Sequence, residues 1–276
     1  MRSFLSMLSG LVALVALLAT IPLLWVSTHV AEEDGYVRFS SVLAKDAELQ
    51  STFAAYLGND LVKRGVLPER LEPAATAALT AVAGRTTSEP GFVGAWEQTQ
   101  RSFHRSAFAG SSQSDLLVDA GPMASFVSKR VSGALPVQIP VPDRLVVRVG
   151  NAQDRQQIEK VQDTTSQSRI GLVVVAVGAL GCLLLARRRS VALAWLGLGT
   201  VLVAGALRLV SSVAAPRILD QTEAPSAFAR TLQKLLVDRA SDSLATWLLW
   251  VAAGGAVLVV VGVAGRAVLG RSARSS

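Results

Sequence analysis

Chemistry in this sequence would have to start from two histidines, one arginine set inside an apolar run, and three consecutive arginines at Arg187, Arg188 and Arg189. His29 is followed by Glu32, Glu33 and Asp34, and a helix would bring His29 and Glu33 one turn apart. That grouping could hold a divalent cation. One imidazole beside clustered carboxylates is nevertheless poor zinc spacing, so an ordinary acidic flank is expected and no metal ligand is assigned. His104, in SFHRS, could serve as a general base, but no GxSxG-like turn places a nucleophile for it. The chain also has no phosphate loop, CxxC or HExxH. A structural histidine is expected at position 104, with no catalytic and no cofactor-binding residue.

Arg208 is the only charge within an apolar run long enough to span a bilayer. An arginine at the midplane costs at least about 2.5 kcal/mol, so such a residue invites an anion-guiding role. It lies close to the end of its run, where its long side chain can reach the interface, and no acid accompanies it within a span. Contact with a lipid headgroup or another anion is therefore the expectation for Arg208. A substrate path is the competing one.

These residues must be positioned by membrane helices. The chain has 276 residues, of which 51% are hydrophobic, too apolar for an ordinary soluble protein of this length. Four segments carry the excess and each has the length of a span. The expected organisation is an N-terminal anchor at 1–26, an extracytoplasmic domain at 27–169 ending in a polar stalk helix, and a second span at 170–186. A cytoplasmic turn at 187–190, a third span at 191–215 and an extracytoplasmic loop with an amphipathic helix at 216–243 follow. A fourth span at 244–265 and a cytoplasmic tail at 266–276 complete it. The first apolar run is longer than a typical signal core and is followed by a poor cleavage context, so it is read as an uncleaved anchor.

Charge fixes the expected orientation. Arg2, Arg187, Arg188, Arg189, Arg266, Arg271 and Arg274 fall in three segments that contain no acid, while all 20 Asp and Glu fall in 27–169 and 216–243. The net charge of +7 thus belongs to one side of the membrane, and the positive-inside rule makes that side cytoplasmic. Both termini are then cytoplasmic, in a plasma or inner membrane. Basicity is accounted for by topology, so nucleic acid is not an expected partner. The tryptophans at 25, 195, 247 and 250 lie near predicted span ends, as interfacial anchors would.

Between the first two spans the patterning is largely helical. Leu49, Phe53, Leu57 and Leu61 recur every four residues with Gly65 beyond them, and LEPAATAALTAVAG suits a second helix. In a third, Phe92, Trp96, Phe103 and Ala107 form one stripe, with Phe108 off that face. LLVDAG and RLVVRVG are short β-type runs able to pair antiparallel, and MASFVSKRVSG between them reads as a short helix. NAQDRQQIEKVQDTTSQSR has only Ile158 and Val161 as large apolar residues and reads as a solvated stalk. Phe228, Leu232, Leu235 and Leu236 share one face of a helix that packs either on lipid or under the external domain. Gly171, Gly178 and Gly181, with Gly254, Gly255 and Gly262, suggest close packing of helices within the bundle or between copies. Cys182 is the single cysteine and sits in a span, so no disulfide supports the external domain.

The segments FVGAWEQTQRSFHRSAFAG, LLVDAG, MASFVSKRVSG, IPVPDRLVVRV and ARRR together give the chain a pattern that resembles a group of uncharacterised actinobacterial multi-pass integral membrane proteins. The resemblance implies a mostly α membrane protein, with four transmembrane helices and an α-rich (α+β) extracytoplasmic domain between the first and second. It also implies an actinobacterial cell envelope, and it transfers no catalytic residue. The function expected from these observations is a non-enzymatic envelope scaffold or complex subunit. Its partners would be the lipid bilayer and an envelope protein, a lipid-linked component or further copies of itself. A small-molecule or lipid transporter or channel component using the bundle is the second reading, and an envelope hydrolase using His104 the third.

Overall fold

A computed structural model describes residues 2–63, 70, 73–74, 77, 81, 90–109, 115–134, 145–151, 158, 161, 164–221, 224 and 226–272. The chain forms two compact units. One is built from residues 1–27, 163–218 and 239–276, and the other from residues 28–162 and 219–238.

The first unit is helical. Helix α1 (Arg2–Val26), which passes into a π-helical turn at Ser27–Ala31, and helices α6 (Thr164–Leu185), α7 (Arg189–Gln221) and α8 (Ala227–Ser272) are the four described helices long and apolar enough to cross a membrane. Small residues let α1 and α6 approach closely. Ser6, Gly10 and Ala13 are buried on α1, and a Cβ built on Gly178 would lie 3.0 Å from that of Ala13. Ser6 Oγ donates to the Cys182 carbonyl and Ser9 Oγ to the Gly178 carbonyl, each at 2.8 Å. Hydroxyls that would otherwise face hydrocarbon thus find acceptors across the helix pair.

Helices α7 and α8 meet through glycine as well. A Cβ on Gly255 would lie 2.8 Å from the Gly197 carbonyl oxygen, and one on Gly262 would lie 2.6 Å from the Ser190 oxygen. Gly254, expected to act with Gly255, instead has nothing within 4 Å. At 100° per residue the two cannot share one contact face. Ile21, Ala204 and Leu248 bring α1, α7 and α8 together.

The second unit begins with α2 (Glu33–Ser41), a 3₁₀ turn at Val42–Lys45, α3 (Ala47–Lys63) and α4 (Pro90–Ala109). Asp46 starts α3 by accepting from the Leu49 N–H at 2.9 Å, a side-chain cap for an otherwise unpaired donor. Strands β1 (Leu116–Asp119) and β2 (Val146–Gly150) pair antiparallel around α5 (Gly121–Ala134). Val118 faces Val147 across the ribbon, and the register shifts between Leu116 and Leu117. Leu49, Phe53, Leu57, Phe92, Trp96, Met123, Val127 and the inward residues Leu116, Val118, Leu145 and Val147 form one apolar core.

Several expectations change. The amphipathic segment of 216–243 and the fourth span are one continuous helix, α8, started by Ser226 Oγ accepting from the Ala229 N–H. No Gly or Pro interrupts the sequence from Ala227 to Ala253, so charge ends the apolar run without ending the helix. Phe228, Ala229 and Leu232 enter the core of the second unit, which resolves the choice between lipid and domain in favour of the domain. Likewise α7 continues through Pro216 to Gln221, beyond the expected boundary at 215. Ile158, assigned to a solvated stalk, packs against the core. Phe108 also packs against it, although it lies off the main stripe. Trp25 is only 7% exposed and donates to Ser243 Oγ at 3.2 Å, so it joins helices where a membrane-facing anchor was expected. Trp195 and Trp250 do stand exposed. The side chain of Leu61, Gly65 and most of the LEPAATAALTAVAG segment lie outside the described residues.

Candidate functional site

The most concentrated polar chemistry lies where α2 meets α4. Tyr36 is buried and donates its hydroxyl to Gln100 Oε1 at 2.9 Å. One turn further on, His104 packs 5.5 Å from the Tyr36 ring and stacks on Phe108 at 4.3 Å. Its Nε2 lies 3.0 Å from the Val30 carbonyl oxygen. A carbonyl can only accept, which assigns the proton of the neutral ring to Nε2. Trp96 completes the row by donating Nε1–H to the Ser40 carbonyl at 2.9 Å. The i, i+4, i+8 spacing of Trp96, Gln100 and His104 places three polar handles along one face of α4, each directed at the segment between Val30 and Ser40.

These groups hold the fold. Burial pushes the Tyr36 phenol well above its ordinary value of 10.0, so it stays protonated and continues to donate. His104 is surrounded by aromatic rings, with its Nε2 committed to a backbone carbonyl. Two other buried oxygens are left over: Thr99 Oγ1 and Gln50 Oε1 have no hydrogen-bond partner among the described residues, although Gln50 Nε2 reaches the Ala44 carbonyl at 2.6 Å.

Two of the acids following His29, Glu33 and Asp34, are committed elsewhere. Arg101 donates to Asp34 Oδ1 at 2.7 Å and to Glu33 Oε1 at 3.2 Å, and Arg105 Nε lies 3.9 Å from Glu33 Oε2. The Arg101 hydrogen bond, and then its charge, hold the Asp34 carboxyl below its ordinary value. Asp34 in turn does most to raise Arg101. The stabilisation from this pairing is present above the ordinary carboxylate range and fades as pH falls through the lowered value. The pair is exposed and therefore open to screening by salt. His29 Nδ1 lies 2.9 Å from Thr28 Oγ1, and its ring meets Phe39 edge-on at 6.0 Å. Among the described residues no group of three or more His, Cys, Asp or Glu could hold a metal ion.

Arg208 occupies an exposed face of α7, followed by exposed Leu209 and Val210. It does not point among the packed helices. Arg187, Arg188 and Arg189 are exposed at the turn between α6 and α7, where the Arg188 carbonyl accepts from the N–H groups of Val191 and Ala192 at 3.1 Å. Arg266 is exposed on α8, and Arg271 lies further along the same helix. Sequence patterning gave no warning of the Tyr36–Gln100 pair. Its only signal was a glutamine on the inner stripe of α4, one turn after Trp96.

Comparison with family models, with curated proteins and with solved structures found no match for this chain.

Proposed function

We propose that this multi-pass membrane protein is a non-enzymatic scaffold or complex subunit of an actinobacterial cell envelope. Its helix-and-ribbon unit is displayed on the extracytoplasmic side and binds a protein or a lipid-linked component, or assembles with further copies of the chain. One observation carries the reading. The row of polar side chains between α2 and α4 is spent on the unit's own architecture, Tyr36 on Gln100, His104 on Val30 and Trp96 on Ser40, and recognition is left to the surface. The bundle supports the same view. The hydroxyls of Ser6, Ser9, Thr20 and Thr200 all bond to helix carbonyls, and Arg208 faces outward, where contact with a lipid headgroup is favoured over a transport path.

The test is extraction of the tagged full-length chain from its host in gentle detergents, with co-purifying proteins and lipids quantified against an untagged control. A stoichiometric envelope component, or a defined homo-oligomer, is the expected result. A monomer that brings down nothing specific in several detergents would contradict the reading.

A further inference from the structure

At the start of α7 the bundle leaves an open groove of about 250 Å³ against α8. Ser190, Val191, Ala194, Trp195 and Leu198 line it from α7, and Val259, Gly262, Val263 and Arg266 from α8. Its floor is shallow because the helices approach closely there. A Cβ on Gly262 would lie 2.7 Å from the Ala194 nitrogen and 2.9 Å from the Ala194 Cβ. The larger side chains of Trp195, Leu198 and Val263 stand on either side of this narrow floor, and Trp195 remains 68% exposed. The result is an apolar trough on a membrane-facing surface, too small for a whole drug-sized ligand but open at its side.

One end of the trough is strongly basic. Arg266 forms part of its wall, and Ser190 on the opposite wall directly follows the exposed Arg187, Arg188 and Arg189. The segments 170–215 and 244–276 contain no Asp or Glu, so neither segment supplies these cations with a carboxylate. The N-terminal end of the α7 dipole adds positive potential at the same place. Four arginines beside a narrow acyl-sized trough in a membrane bundle present the two halves of a phospholipid-binding surface, a cationic end for phosphate and an apolar track for a chain.

We propose that the α7–α8 groove binds one anionic phospholipid, with an acyl chain lying along Ala194, Leu198, Gly262 and Val263 and the headgroup phosphate held by Arg189 and Arg266. This site is separate from Arg208 and does not depend on whether the other unit binds a protein.

The experiment uses the full-length chain in a mild detergent, titrated with dioleoylphosphatidylglycerol or dioleoylphosphatidylcholine, with bound lipid counted by native mass spectrometry. The wild-type chain should retain one phosphatidylglycerol in preference to phosphatidylcholine. At about fivefold for each arginine removed, the double variant Arg189→Gln with Arg266→Gln should bind phosphatidylglycerol about 25-fold more weakly. Arg266→Lys should keep most of the binding, because it retains the point charge. Val263→Trp, which fills the trough from an exposed position, should weaken both lipids, and Arg230→Gln, at an exposed position in the second unit, should change neither. Wild-type binding by the double variant would overturn the proposal, as would loss of binding in Arg230→Gln. A wild-type dimer that excludes phosphatidylglycerol would also overturn it and assign the groove to a second copy.

Discussion

Tyr36 and Thr99 sit in the same unit, and both carry a buried hydroxyl with opposite consequences. The Tyr36 hydroxyl donates to Gln100, so Tyr36→Phe leaves an amide oxygen buried without its donor and should cost about 1–3 kcal/mol. The Thr99 hydroxyl has no partner among the described residues and is 1% exposed, so Thr99→Val should raise stability by about 1 kcal/mol. Chemical denaturation of the purified chain, followed by near-ultraviolet circular dichroism, compares the two variants directly. Tyr36 also makes a pH prediction. Below pH 10.0 both folded and unfolded states keep the phenolic proton, and above it the unfolded state loses the proton first because burial raises only the folded value. Stability should therefore fall as pH rises beyond 10.0, and the part of that fall due to Tyr36 should vanish in Tyr36→Phe. None of this was legible from spacing. A tyrosine, a glutamine and a threonine look alike as polar marks on a helical stripe, and only the partner across the interface distinguishes them.

Among the elements, the glycines of the bundle separate what pattern lumped together. Gly255 abuts the Gly197 carbonyl, so Gly255→Ala should destabilise the bundle by about 1–3 kcal/mol in a detergent unfolding assay. Gly254 faces open space, and Gly254→Ala should be neutral or stabilising by up to about 1 kcal/mol through helix propensity. The pairing of α1 with α6 admits a covalent test. A Cβ built at Gly10 lies 3.7 Å from the Cys182 Cβ and 3.0 Å from its sulfur, within the range for a disulfide. Gly10→Cys should therefore crosslink to Cys182 under mild oxidation, seen by peptide mapping, while Val12→Cys, on an exposed face of α1, should not. The apolar runs, the Leu49–Phe53–Leu57 stripe and the LLVDAG–RLVVRVG pairing could all be read from the sequence, because each follows a simple period. Element ends could not. Asp238, Arg239 and Asp242 close the apolar run, yet the backbone there lacks any residue that stops a helix, so α8 runs on. Trp25 was misplaced for a related reason: position along a span is visible in sequence, but the direction of the side chain toward Ser243 is not.

Across the whole molecule, one helix serves both units. The 46 residues of α8 span about 69 Å, more than twice the thickness of a hydrocarbon core. Residues 227–238 belong to the second unit and those from 239 onward to the bundle. The asymmetry of charge is the strongest whole-chain signal: arginines without acids in the turn between α6 and α7 and in the tail, against every acid in 27–169 and 216–243. With four apolar helices, this asymmetry is the basis of the proposal that the second unit is displayed on the membrane face opposite Arg187, Arg188 and Arg189. The direct test starts from a Cys182→Ala chain and introduces single cysteines by Asp115→Cys and Arg188→Cys, both at exposed or half-exposed positions. Intact cells of the host are then treated with a membrane-impermeant maleimide. The account predicts labelling of the Asp115→Cys variant in intact cells and of the Arg188→Cys variant only after permeabilisation. Labelling of the Arg188→Cys variant in intact cells, with protection of the Asp115→Cys variant, would contradict it.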